Sequence, residues 1–185
     1  WQHVDTPVRN TAHWAYLMYS AFLISEEQIF RDSAIKACNY LLNPDLRPGN
    51  STFLCRTYPK TKLKSNGLIG QAWAVEPLIF IGKCEKNQEY LKIAEEILGL
   101  HPFNEKKCLF ENIEIDGTNK GANQTLNQQI WFAATILRLC DATNGENKIL
   151  YLNAIKLLSN LNKKIDQYHD GFIMHKVKLP LKSKA

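Results

Sequence analysis

Three carboxylates, three tryptophans and a group of amide side chains are the residues of this chain whose chemistry reaches beyond packing. Asp5, Glu76 and Asp116 stand close to apolar segments. Two carboxyl groups facing a glycosidic bond roughly 5–9 Å apart can share acid and base work. Glu76 lies in an otherwise apolar run, where burial favours the protonated acid and suits a proton donor. Trp14, Trp73 and Trp131 offer flat apolar faces, and rings of this kind stack against the C–H faces of sugars. His13, Asn66, Gln71, Asn127 and Gln128 supply hydrogen-bonding groups for hydroxyls. The same residues have plainer readings. A tryptophan repeated at one place in each unit packs, Glu76 can be a hydrogen-bonded core carboxyl, and Asp116-Gly117 is a common turn pair.

Other chemistries find little support. The histidines show no H-x-x-x-H pair and no cysteine joins them at zinc spacing, so no metal and no cofactor is expected. Among the 185 residues the formal net charge is +5, from lysines scattered mostly over loops and the tail. That distribution speaks against a nucleic-acid partner. No apolar run approaches the roughly 20 residues of a bilayer span, so no membrane partner is expected. Five cysteines without a C-x-x-C pair fit a reducing, cytoplasmic setting. Two N-x-[ST] tripeptides begin at Asn50 and Asn123, as chance allows in an Asn-rich chain. Opening at Trp1 rather than Met, the chain reads as a processed or trimmed product.

The elements that would position these residues recur. Trp14, Trp73 and Trp131 open similar apolar segments at spacings of 59 and 58 residues, and Phe30, Tyr90 and Tyr151 mark a second set at 60 and 61. Each unit reads as helix, short turn, helix, long loop. First helices are expected near 10–24, 68–82 and 124–141, and second helices near 26–42, 86–98 and 147–163. The first are apolar nearly all round and belong inside. The second carry a one-sided stripe, as in Ile29, Phe30, Ala34, Ile35, Cys38 and Leu41, and belong outside. Pro77 predicts a kink or a late start in the second inner helix.

Long loops at 43–67 and 99–123 fall on one face, where parallel inner helices open their N-termini toward hydroxyl-rich or anionic ligands. That face is the expected site.

The segments Asn66-Gly67-Leu68-Ile69-Gly70-Gln71-Ala72-Trp73 and Asn123-Gln124-Thr125-Leu126-Asn127-Gln128-Gln129-Ile130-Trp131 give the chain its resemblance to the six-hairpin (α/α) toroid, glycosidase-like superfamily. Unsaturated glucuronyl hydrolases and N-acylglucosamine epimerases belong to it. The resemblance implies an all-α fold with one domain over 1–185, in repeats of about 8–66, 67–122 and 123–175, forming a fragment of a larger toroid. It implies an enzyme acting on a saccharide by carboxylate acid/base chemistry, glycoside hydrolase-like or sugar epimerase- or lyase-like. Arg47, Arg56, Lys60, Lys62 and Lys64 would suit an acidic sugar. The segment 170–175 resembles the strand before a further inner helix, and an open half-ring invites self-association or a second half. The competing reading is a non-catalytic helical-repeat interaction module, or an inactive fragment.

Overall fold

The computed structural model describes residues 6–57, 61–165 and 175–177, with six α-helices and one small sheet among them. The helices are α1 (Pro7–Ser25), α2 (Gln28–Leu41), α3 (Gly67–Glu85), α4 (Gln88–Gly99), α5 (Leu126–Ala142) and α6 (Lys148–Ile165). They pair as hairpins α1/α2, α3/α4 and α5/α6, and α3 packs between α1 and α5. All six fall within three residues of their expected bounds.

Local signals explain the ends. Pro7 occupies the first turn of α1, where its missing N–H costs no bond. Asn87 Oδ1 accepts from the N–H groups of Glu89 and Tyr90 at the start of α4, and Asn147 repeats this cap 60 residues on, accepting from Leu150 N–H. Contrary to expectation, α3 has no late start at Pro77. It runs from Gly67 to Glu85 with the proline buried inside it.

The layers follow from apolar pattern. Helix α3 is buried on nearly every side, with Leu68, Ala72, Val75, Leu78 and Ile81 fully enclosed. Each such leucine or isoleucine stabilises the fold by about 1.5–3 kcal/mol, and Leu78→Ala would cost about 2–5 kcal/mol. Helices α2, α4 and α6 bury one stripe each; in α4 it is Tyr90, Leu91, Ala94, Ile97 and Leu98. Helices α1 and α5 depart from the all-round burial that their composition predicts. Each has only one inner neighbour, so Trp14, Leu17 and Leu23 of α1 and Ile130 and Trp131 of α5 stay exposed. At the far end, Glu85 braces three helices by accepting from Tyr19 Oη at 2.6 Å and pairing with Arg31 through both guanidinium arms.

The two long loops are ordered by one repeated device. Gln71 is wholly buried; its Oε1 accepts from Phe53 N–H at 2.7 Å, and its Nε2 donates to Phe53 O at 3.1 Å and Ser65 O at 2.6 Å. Gln129, 58 residues on, does the same with Phe110 N–H, Phe110 O and Asn123 O at 3.0, 2.8 and 2.7 Å. Each glutamine extends an inner helix sideways to hold a passing strand of loop.

In the second loop β1 (Phe103–Asn104), β2 (Leu109–Ile113) and β3 (Asn119–Ala122) form an antiparallel sheet in that order, which the sequence did not announce. Glu114, just after β2, accepts from the N–H groups of Lys64, Ser65 and Ile115, tying the two loops together. Of the expected strand at 170–175, residues 170–174 lie outside the described ones. His175 O accepts from Leu126 N–H, and Val177 N–H donates to Gln124 O, so this short piece lies against the start of α5.

Candidate active site

Between α1, α3 and α5 the fold leaves a cavity of about 480 Å³ lined by His13, Tyr16, Leu17, Trp73, Glu76 and Trp131, with Ala12, Ser20 and Pro77. Larger depressions of about 530 and 670 Å³ lie against the outer helices. Each contains an ion pair, Arg31 with Glu85 and Arg47 with Glu96. The inner cavity is smaller but gathers aromatic rings, an imidazole and a carboxylate, the mixture expected of a ligand site.

Helical spacing explains the lining. His13, Tyr16, Leu17 and Ser20 stand at three- and four-residue steps on one stripe of α1, and Trp73, Glu76 and Pro77 on one of α3. The Trp73 and Trp131 rings meet edge to face, 6.4 Å between centroids at 83°, and His13 stands edge-on to Trp73 at 5.6 Å. The Arg9 guanidinium lies 5.6 Å from the centroid of the Trp73 ring. Burial, with the charge of Arg9 added, lowers the pKa of His13, so its imidazole is neutral at pH 7. The Glu76 side chain is 13% exposed and ion-paired with Arg138 of α5. That pairing adds a cation to the apolar setting predicted for Glu76.

The other expected site residues distribute unevenly. Gln71 is removed from candidacy as a sugar ligand, because both ends of its amide are spent on loop backbone. Asp116 is exposed in the turn between β2 and β3 and accepts from Thr118 N–H at 2.9 Å. Hydrogen bonding to Thr118 lowers its pKa, and it borders a different depression with Lys62, Lys64 and Lys120. Asp116 and Glu76 are therefore not brought together, and the turn reading describes Asp116.

Trp14 is 51% exposed, with its Nε1 donating to Ser33 Oγ of α2, and does not line the cavity. Asn66 caps α3 in a left-handed conformation (φ 59°), Asn127 is exposed on α5, and Gln128 joins an amide cluster at that end. Asp5 and Lys60 lie outside the described residues. Sequence reasoning missed Tyr16 and Arg138. The signal for Arg138 was there, a charge within the apolar run from Ile130 to Cys140, seven residues and thus two turns after Trp131.

Among the described residues no group of three or more His, Cys, Asp and Glu side chains stands together. No helix among them is long and apolar enough to cross a membrane.

Stacked helical hairpins with an inner and an outer layer give the chain the fold of part of an (α/α) toroid, and solved structures agree. A D-mannose isomerase superposes with a TM-score of 0.71 at 14% identity, over 94% of this chain and 46% of its own. A cellobiose 2-epimerase from Spirochaeta thermophila gives 0.68 at 15% identity, over 88% and 44%. A GH76 α-mannanase from Bacteroides thetaiotaomicron gives 0.64 at 15% identity, over 88% and 46%. In sequence the chain is similar to archaeal glycosylation protein Q of Haloferax volcanii, with 35% identity over 171 residues, 92% of this chain and 45% of that protein. The chain thus spans about half the length of these relatives. No family model matches it.

Proposed function

We propose that the chain is half of a sugar-processing toroid and that the cavity between α1, α3 and α5 is its saccharide site. The observation that carries this reading is the convergence there of the Trp73–Trp131 pair with His13 and Glu76. The rings offer an apolar face for a pyranose, while the imidazole and the carboxylate provide acid and base groups. The names of the structural relatives, all enzymes of saccharides, and of the glycosylation protein support the same class. A second three-hairpin half would wall the cavity opposite Trp131.

Within that class the geometry favours proton transfer at a sugar carbon over glycoside hydrolysis. Hydrolysis asks for two carboxyl groups about the scissile bond, and among the described residues Glu76 is the one carboxylate lining the cavity. A neutral His13 can take the C2 proton of an open-chain aldose, leaving an enediolate stabilised by nearby donors. Return of the proton to C1, with the hydroxyl proton of O2 passing to O1, gives the ketose, and return to the other face of C2 gives the epimer. Trp73 and Trp131 would hold the sugar, with Asn66, Asn127 and Gln128 at the rim. Whether the sugar is acidic does not enter this reading.

Calorimetric titration with D-mannose and cellobiose, alongside proton NMR in deuterated water, tests it. Binding that weakens tenfold or more in Trp73→Ala, with deuterium appearing at C2 in the wild type and not in His13→Asn, is the expected result. Release of a reducing sugar without C2 exchange would replace proton transfer by hydrolysis. Absence of binding by every saccharide tried would leave the interaction-module reading.

A further inference from the structure

We infer that Asn112, Asn123 and Gln128 form the polar end of this site, a carboxamide clamp that donates hydrogen bonds to oxygen atoms of the saccharide. The inference rests on the saccharide reading of the aromatic cavity and adds one donor that the sequence did not single out, Asn112, with Asn123 as the residue that orients it and Gln128.

The three amides hold each other in one orientation. Asn123 is only 7% exposed, and its Nδ2 donates both hydrogens, to Asn112 Oδ1 at 3.0 Å and Gln128 Oε1 at 2.6 Å. Its own Oδ1 accepts from Thr125 N–H at 2.8 Å. Asn112 Oδ1 accepts a second bond, from Leu68 N–H at 3.2 Å. Because both outer amides turn their oxygens inward, both NH2 groups must point away from Asn123. Neither NH2 group finds a protein acceptor among the described residues, and neither is a buried orphan. Two half-buried donors with fixed direction are therefore presented, one on each side of Asn123.

Their position ties them to the cavity. Gln128 stands three residues before Trp131, one turn up the same face of α5, and Gly67, which adjoins all three amides, opens α3 just ahead of Trp73. The seam between the two inner helices thus runs from amide donors, past the indole pair, to the Glu76–Arg138 pair. Gly67 keeps the amide end open. A Cβ there would lie 2.9 Å from Asn112 Oδ1 and 3.0 Å from Gln128 Oε1.

A merely structural trio, capping α3 and nothing more, makes a different prediction. Asn112→Asp keeps an oxygen for Leu68 N–H and Asn123 Nδ2, and Gln128→Glu keeps one for Asn123. Each exchanges only the outward donor for an acceptor. Melting temperatures should therefore stay within about 2 °C of wild type, and a carboxylate at a helix N-terminus is favourable in any case. Affinity for D-mannose or cellobiose should fall about tenfold or more.

In the wild type, the side-chain NH2 signals of Asn112 and Gln128 should shift in proton–nitrogen NMR as sugar is added, while that of Asn87, past the opposite end of α3, stays in place. Unchanged affinity in both variants, or unshifted signals in the wild type despite Trp73-dependent binding, would overturn the clamp and leave the saccharide site standing. Loss of the saccharide reading itself would show instead as no Trp73-dependent binding at all, and the clamp would fall with it.

Discussion

Gln71→Leu should be among the most destabilising single substitutions that leave the apolar core full. The leucine fits the volume, but Phe53 N–H, Phe53 O and Ser65 O lose their partner in a place sealed from water. A buried polar group left unsatisfied costs about 1–3 kcal/mol. Added apolar burial returns about 1 kcal/mol, so for three such groups the net loss is about 2–8 kcal/mol. For a domain of this size about 1 kcal/mol moves the melting temperature about 2–4 °C, giving a fall of about 4 °C or more.

Far-ultraviolet circular dichroism during heating reads this directly, and Gln129→Leu should behave alike, since it holds Phe110 and Asn123 in the same manner. Gln71→Glu sharpens the test. One oxygen still accepts from Phe53 N–H, but the other, when ionised, opposes two carbonyls. Its pKa should rise above the ordinary carboxylate value on folding, so this variant should lose stability as pH rises through that folded pKa and regain it in acid. A fall of less than about 2 °C in Gln71→Leu would refute the idea that the glutamines order the loops.

Four further outcomes are expected. His101 is buried, donates from Nδ1 to Glu111 O and has its pKa pushed down to about 4 by desolvation. The unfolded chain therefore takes up its proton first, near the ordinary value of 6.5. Stability from this group is complete above about pH 6.5 and falls by about 3 kcal/mol as pH drops to about 4; urea denaturation of His101→Gln should show a flatter pH profile. Gly67→Ala combines a positive φ of 63° with contacts of 2.9 Å to Asn112 Oδ1 and 3.0 Å to Gln128 Oε1, so it should cost about 1–3 kcal/mol and weaken sugar binding, as read by melting and calorimetry. Trp14→Ala should leave saccharide affinity unchanged, because Trp14 turns to Ser33 rather than the cavity; a tenfold loss in calorimetry would contradict that placement. Asp116→Asn should change neither affinity nor melting by more than about 0.5 kcal/mol equivalent, as befits an exposed turn residue.

The period of about sixty residues, the hairpin order and the division into inner and outer helices were legible in the chain itself. They rest on apolar spacing and on end signals such as Pro7 and Asn87, which act within a turn or two of helix and need no tertiary partner. The toroid fold was expected from the resemblance of segments 66–73 and 123–131, and the superposed structures bear that fold out. The paired strands of the second loop were not legible, because Leu109–Ile113 gains its structure from Gln129 and from β3, partners distant along the chain.

The site depended on rotation. Consecutive residues on a helix point about 100° apart, so a shift of one position decides whether a side chain meets solvent, loop or cavity. Aligning Trp14 with Trp73 sets a spacing of 59, yet α1 and α3 begin 60 residues apart, and His13 is the residue that meets Trp73 across the cavity. By the same logic Gln71 and Trp73, two positions apart, serve opposite purposes, one anchoring a loop and one lining the site. Sequence alone determined which helices would face inward, since burial is written in composition. Which side chains of those helices would face one another was decided by packing, because helix phase is fixed only when neighbouring helices lock against each other.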